Sequence, residues 1–268
     1  MSDYTDISKK YSHVHNLSGK SFEKECLAVE NALSFSFNSY FEIVMTKKLF
    51  DEKSQMLAAL FYRNCVYLSA TYTLIRNGML DPAGNNMRTV FETVLWQYAY
   101  LSDNKIYEDL KELALLEEQK LELIKKKAWS NTKERELENL RRKYSLQKMM
   151  KRIYSKKSFE RFFFNQYWLL SHKSHSSTFG VNYNTPTMEN VTTMENRPEE
   201  LKGNINATLY LCSENLVCFL NCFSDFMSQE KIDNIMKNVN AINIGLPPTL
   251  GLVPDMVDMK FKFNFRSL

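Results

Sequence analysis

Residues 56–75 read MLAALFYRNCVYLSATYTLI and form the most apolar stretch of the chain. This stretch has about the length of a membrane span, but Arg63 and Asn64 lie near its middle, where charge is costly in lipid. We therefore interpret it as a buried core helix. The chain around it contains only seven Gly and six Pro in 268 residues. Such long uninterrupted segments favour helices over sheets.

Apolar spacing predicts further helices on both sides of this stretch. The predicted helices cover residues 21–47, 51–77, 82–101, 104–127, 132–154, 158–173, 203–227 and 229–238. Asp51 is expected to cap the second helix, and Gly78 and Pro82 to separate it from the third. The helix at 203–227 is apolar nearly all round and should be central. The sequence therefore predicts an all-α protein built as an antiparallel helical bundle.

The predicted helices at 104–127 and 132–154 have narrower apolar stripes and highly charged outer faces. We expect them to form a basic helical hairpin that projects from the core. The domain prediction is a core made of residues 1–103 and 155–240, with the hairpin inserted as residues 104–154. A C-terminal tail, 241–268, contains KFKFNF, whose strict alternation is typical of a strand or an extended arm.

Compartment and cofactor chemistry can be predicted from the N-terminus and the cysteines. MSDYTDISKKYSHVHNLSGK contains no apolar stretch of the kind that a signal peptide needs. Five cysteines without a CxxC pair fit a reducing cytoplasm. No HExxH or similar motif occurs, and a metal site needs three or four suitable ligands. We predict a cytoplasmic protein with no membrane partner, no metal and no cofactor.

The charge of the chain is concentrated in one segment. Residues 125–161 contain 14 Lys and Arg against four Glu, a net charge of +10, although the whole chain carries only +4. A run without any acidic residue contains eight cations: Arg141, Arg142, Lys143, Lys148, Lys151, Arg152, Lys156 and Lys157. Such a basic amphipathic helix would attract RNA or another polyanion by counterion release. The alternative is a solvated face that is balanced by acidic residues of the preceding helix.

The segment MRTVFE places Arg88 and Glu92 four residues apart, on one face of a predicted helix. Most of their neighbours are apolar, and Arg63 likewise lies in an apolar run on the preceding helix. Buried charges need partners. One interpretation is that Arg63, Arg88 and Glu92 form an internal ion network that orients the two helices. The other is that they line a polar pocket.

Residues 169–177 read LLSHKSHSS and contain two of the four histidines in the chain. His172 and His175 would be neighbours on one face if the helix continues. Histidine can act as general acid or base near neutral pH, and RNA cleavage needs both roles together with a cation for the developing charge. The alternative is a solvated, polar helix end.

The segments NNMRTVFETVLWQYAYL and LLSHKSHSS together resemble uncharacterised all-helical members of the HEPN-like superfamily. Those members carry an Arg-xxx-Glu helix and a later Ser/His segment. The usual HEPN signature, Arg followed by four to six residues and His, is absent here. The resemblance therefore implies a site assembled from two helices, formed by Arg88, Glu92, His172 and His175.

The resemblance also implies the activity. Family members often act as metal-independent ribonucleases in defence and toxin systems, and they dimerise to complete the site. We therefore expect an RNA-binding or RNA-cleaving protein that forms a homo-oligomer, with a role in stress or antiviral defence. The alternative is a non-catalytic scaffold that binds a protein partner through the basic hairpin and the tail. A third hypothesis is a nucleotide-binding regulatory module.

Overall fold

The computed structural model describes residues 22–46, 51–126, 129–153 and 198–245. Every regular element in these ranges is helical, which confirms the all-α prediction. Eight α-helices occur within the described ranges: α1 Glu23–Thr46, α2 Glu52–Arg76, α3 Leu80–Ser102, α4 Asn104–Lys125, α5 Asn131–Lys143, α6 Leu146–Ile153, α7 Pro198–Phe223 and α8 Gln229–Gly245. A short 3₁₀ turn, Ser224–Phe226, joins α7 to α8.

The connection between α2 and α3 is a tight turn centred on Gly78. Asp51 caps the start of α2, as predicted, because its carboxylate accepts a hydrogen bond from the Ser54 backbone N–H at 2.8 Å. At the other end, Gly78 has a φ of 74°. Its N–H bonds to the Ile75 carbonyl, and the Met79 N–H bonds to the Leu74 carbonyl. Only glycine adopts this backbone conformation without a Cβ penalty.

Helix α7 is the central element of the fold. It packs against α1, α2, α3 and α8, and α2 also packs closely on α3. Its side chains are buried over most of its length, and those of Leu216, Phe219 and Phe223 are fully buried. The Phe219 ring lies 4.2 Å from that of Phe61 on α2. This arrangement confirms the prediction that the most uniformly apolar helix is central.

Three buried amide side chains connect the three helices at the middle of the core. Asn64 on α2 donates from Nδ2 to Gln97 Oε1 on α3 and to Asn215 Oδ1 on α7, at 3.0 Å in each case. All three residues are at most 1% exposed. Asn215 in turn approaches the Phe61 carbonyl at 3.5 Å. Because a buried amide without a partner is costly, this amide cluster favours one register of α2, α3 and α7.

The single helix predicted for residues 132–154 is wrong, because the chain bends at Tyr144 and Ser145 and forms α5 and α6. Ser130 caps α5 by accepting from the Lys133 N–H. Tyr144 is 4% exposed, and its hydroxyl donates to the Asp109 carboxylate on α4. After the bend, α6 packs on α3 and buries Met149 fully. Packing of Tyr144 and Met149 accounts for the break.

Helices α4 and α5 pack on each other, and α4 also contacts α3. Lys111 of α4 forms an ion pair with Glu52 at the start of α2. Ile106, Tyr144 and Met149 are part of the same hydrophobic core as α2, α3 and α7. The antiparallel order of the bundle, the projection of the hairpin and the domain boundaries stay predictions. The predicted helix at 158–173 and the KFKFNF segment lie outside the described residues.

None of the helices in the described ranges is both long and apolar enough to cross a membrane. The most apolar stretch, residues 56–75, instead lies within α2 and contributes eight buried residues to the core. Asn64, which interrupts its apolar pattern, donates hydrogen bonds within the amide cluster. The interpretation of this stretch as a core helix is therefore confirmed.

Candidate functional site

Arg88 and Glu92 form an ion pair at the edge of α3. The Arg88 Nε donates to Glu92 Oε1 at 2.8 Å, as the four-residue spacing predicts. The two side chains are 23% and 32% exposed, so the pair lies at the boundary between core and solvent. Adjacent positions Met87 and Phe91 are buried, which fixes the helix face that presents the pair. A bond through Nε restricts the guanidinium plane and orients the Nη groups.

The internal network that was expected to join Arg63 to Arg88 and Glu92 is absent from the described residues. Arg63 is exposed on α2, and its guanidinium lies 5.3 Å from the centroid of the Tyr67 ring. The next residue, Asn64, occupies the buried position instead. The prediction failed because one residue along a helix is a rotation of about 100°, which is enough to exchange a core position for a surface position.

Two aromatic residues extend the face of α3 that carries the ion pair. Trp96 and Tyr100 follow Glu92 at successive four-residue steps, and both are partly buried. Their rings stack with centroids 6.4 Å apart and an interplanar angle of 28°. Each four-residue step advances about 6 Å along the helix. The partly exposed side of α3 thus carries an arginine, a carboxylate and two rings in one row.

The described residues include only part of the candidate site. Arg88 and Glu92 are described, and the structure brings them into contact. His172 and His175 lie outside the described residues, so their distance to Arg88 stays a prediction. The cations Lys156 and Lys157 also lie outside, and only the backbone of Arg152 is described. Among the described residues, no three His, Cys, Asp or Glu side chains are grouped so that they could hold a metal ion.

Part of the basic run is neutralised by α4. Arg141 bonds to Glu117 at 3.0 Å and to Glu138 at 3.3 Å. Lys143 pairs with Asp109, which also accepts from Tyr144. These hydrogen bonds hold the pKa of the Asp109 carboxyl below its usual value, with Lys143 as the larger cause. The alternative prediction, that acidic residues of the preceding helix balance this run, is therefore confirmed at Arg141 and Lys143.

Arg142 and Lys148 of the same run have no such partner among the described residues. Arg142 and Lys148 are exposed, and within the described part of the chain neither forms an ion pair. Arg142 directly follows Arg141, but it points away from α4 because of the rotation per residue. Lys151 is exposed near the end of α6. In its described part, the basic run thus contains cations with an ion pair, Arg141 and Lys143, and cations without one, Arg142 and Lys148, and the sequence alone does not distinguish the two kinds.

Sequence reasoning missed a buried carboxylate on α7. Glu214 is 3% exposed and accepts a hydrogen bond from the Tyr98 hydroxyl of α3 at 3.2 Å. Its neighbours Ser213 and Asn215 are also buried, so three polar residues in succession face the interior. The sequence feature that could have predicted these buried polar residues is the SEN triplet inside the apolar run LYLCSENLVCFL. Polar residues in the middle of such a run need buried partners.

Three buried cysteines do not offer a reactive thiolate. None of the five cysteines forms a disulfide, and Cys26, Cys65, Cys212 and Cys218 are buried. Burial raises the pKa of the Cys65 thiol to about 12, and it raises the pKa of Cys212 and Cys218 as well. These three thiols stay protonated at neutral pH, and nucleophilic attack requires the thiolate. They pack as small apolar residues.

Comparison with known proteins identifies one similar family. Residues 55–185 match a family of unknown function, DUF5677. The matched segment is slightly shorter than half of the chain. It begins within α2, includes α3 to α6 and contains Arg88, Glu92, His172 and His175. No curated protein and no solved structure matches this chain. The matched segment therefore contains all four predicted site residues but carries no named activity.

Proposed function

We propose that this chain is a HEPN-like protein that binds RNA and cleaves it without a metal ion. Arg88 binds the phosphate at which cleavage takes place, and Glu92 orients Arg88. His172, assisted by His175, moves the protons. The observation that carries the proposal is the Arg88–Glu92 ion pair, in which an oriented guanidinium lies at a partly exposed surface of α3. A role in stress or antiviral defence follows from the family resemblance.

The chemistry of RNA cleavage matches these residue types. A base removes the proton of the 2′-hydroxyl, whose oxygen attacks the adjacent phosphorus, and an acid protonates the leaving 5′-oxygen. Negative charge grows on the non-bridging oxygens, where a guanidinium stabilises it through two parallel hydrogen bonds. An arginine held by a carboxylate is already oriented for this task and loses less freedom on binding. Trp96 and Tyr100 supply rings on the same helix face for contact with bases.

Incubation of the purified full chain with labelled transfer RNA and a single-stranded RNA, in EDTA, tests the proposal. We expect cleavage that leaves a DNA strand of the same sequence intact, because DNA has no 2′-hydroxyl. Arg88→Ala should lower the rate about 100-fold or more. His172→Ala should lower it by a similar factor, since general acid–base catalysis contributes about 100- to 10,000-fold.

Arg63→Ala is the matched control for Arg88→Ala. It removes the same type of side chain from the neighbouring helix, but from an exposed position without an ion pair among the described residues. We expect this variant to cleave RNA at the wild-type rate. Full activity of Arg88→Ala, or cleavage that requires a divalent cation, would contradict the proposed mechanism.

The second candidate function is a non-catalytic scaffold that binds a protein partner. The observation that favours it is that Arg141 and Lys143 of α5 form ion pairs with Glu117 and Asp109 of α4. We call these two cations braces, because they link α5 to α4, and they are thereby removed from the proposed RNA-binding set. A scaffold of this kind should neither cleave RNA nor retard it in a gel. Absence of both activities in the wild-type chain would favour the scaffold over the ribonuclease.

A further inference from the structure

The outer face of α5 carries two arginines that the braces between α4 and α5 do not use. Arg135 and Arg142 lie seven residues apart, on the same side of the helix, and both are exposed. In the described ranges neither forms an ion pair or a hydrogen bond. The rise of the helix separates them by about 10 Å along its axis. Asn131 and Asn139 lie on the same side and are also exposed.

These residues line a shallow groove of about 390 Å³. Two glutamates share the groove, and each forms an ion pair with a cation. Glu134 accepts from Lys120 at 2.8 Å and from the Trp129 indole at 2.5 Å. Glu138 accepts from Arg141 at 3.3 Å, and Arg141 also pairs with Glu117 of α4 at 3.0 Å. Arg135 and Arg142 are therefore the two cations of the groove that have no ion-pair partner among the described residues, and they outnumber the one carboxylate, Glu138, that shares its cation.

The donors of the groove determine which ligand it fits. Arginine presents a planar fork of N–H donors that matches the oxygens of a phosphate, and an asparagine amide adds a donor between the two forks. Two guanidinium groups at this separation need a ligand with repeated anionic groups. A nucleic-acid strand supplies one phosphate per nucleotide, so it can engage both arginines at the same time.

We infer that the groove on α5 binds the phosphate backbone of single-stranded RNA through Arg135 and Arg142. Asn139, which lies between the two arginines, and Asn131, one turn before Arg135, hydrogen-bond to the same backbone. Arg141 and Lys143 serve as braces and make no backbone contact. This inference rests on the proposed function, since it names the surface that holds the substrate of the Arg88 site. Arg135, Asn131 and Asn139 lie outside the basic run of residues 141–157.

The salt dependence of RNA binding tests the inference. Binding of a labelled oligouridylate to the full chain is measured between about 50 and 200 mM salt for the wild type and for Arg135→Ala/Arg142→Ala. Each phosphate contact with a single strand contributes about 0.7 to the slope of log affinity against log salt. We expect the double variant to lower this slope by about 1.4 and the affinity at 0.1 M salt by about 25-fold.

The matched control is Lys202→Ala/Lys237→Ala, which also removes two exposed cations, from α7 and α8. It should leave the slope unchanged, and far-ultraviolet circular dichroism should show that both double variants are folded. An unchanged slope in Arg135→Ala/Arg142→Ala would overturn the inference and leave the Arg88 proposal intact. Absence of RNA binding in the wild type would overturn both the inference and the Arg88 proposal. Equal displacement of RNA by polyglutamate at the same charge concentration would overturn the inference alone, in favour of an acidic peptide ligand.

Discussion

The core around α7 and the α4–α5 pair hold their helices together with different polar contacts. In the core, Asn64, Gln97 and Asn215 are uncharged and at most 1% exposed, and they bond to one another. Between α4 and α5, the polar contacts include three ion pairs, such as that of Arg141 with Glu117. Buried amides make an error of register costly, whereas exposed ion pairs contribute little to stability. The comparison indicates that α5 can carry binding residues without a large loss of stability.

The largest expected effect comes from breaking the amide cluster. Asn64→Ala leaves Gln97 and Asn215 without their shared donor in a buried environment. Unsatisfied buried groups cost about 1–3 kcal/mol each, so we expect the free energy of unfolding to fall by about 3 kcal/mol. Urea denaturation of the two proteins provides the measurement.

Asn221→Ala is the matched control, because in the part of the chain that the structure describes Asn221 bonds within α7, to the Val217 carbonyl at 3.0 Å. Its loss should cost about 1 kcal/mol or less. Equal destabilisation by the two substitutions would show that the amide cluster has no special role in the core.

An intermediate effect is expected at Asp109, the residue where α4 holds the bend between α5 and α6. Asp109→Asn removes a charged acceptor of Lys143 and Tyr144, and we expect a loss of about 1–2 kcal/mol in the free energy of unfolding. Glu112→Gln is the control, since Glu112 is a neighbouring acid of α4. An equal loss in both variants would contradict the role given to Asp109.

The pH dependence of stability sharpens this test. Because the pKa of Asp109 is lower in the folded chain than in the unfolded one, its stabilisation is fully present above the unfolded value of about 3.9. The stabilisation decreases as the pH falls through the lower, folded value. Urea denaturation between about pH 5 and pH 2 should therefore show a smaller acid-dependent loss for Asp109→Asn than for the wild type. Identical pH profiles would contradict the assignment.

The sequence predicted the helical fold well because the signals are local. Apolar spacing located the helices, and Asp51 and Gly78 located the ends of α2. The break at Tyr144 was not predictable from spacing, since it depends on Asp109, a residue 35 positions away. The apolar spacing of residues 132–154 was consistent with one continuous basic helix. The contact of Tyr144 with α4 and the packing of α6 on α3, rather than low helix propensity, end α5 at Lys143.

The candidate site was predictable only in part. The four-residue spacing was enough to pair Arg88 with Glu92. The position of Arg63 was not predictable, because an apolar run does not tell which residue of an Arg-Asn pair faces the core. The buried polar residues 213–215 were missed, since a helix that is apolar nearly all round shows no preferred face for them. Such positions depend on packing between helices that are far apart in sequence.

The adjacent residues Arg141 and Arg142 give the most direct test of whether paired cations link helices and unpaired cations bind RNA. Both are arginines on α5, but among the described residues only Arg141 forms ion pairs. The free energy of unfolding and the RNA affinity are measured for Arg141→Ala and Arg142→Ala. We expect Arg141→Ala to lower stability by less than about 1 kcal/mol and to leave the salt slope of RNA binding unchanged. Arg142→Ala should keep the stability and lower that slope by about 0.7. Equal effects of the two substitutions on RNA binding would contradict the division of the basic run into braces and binding residues.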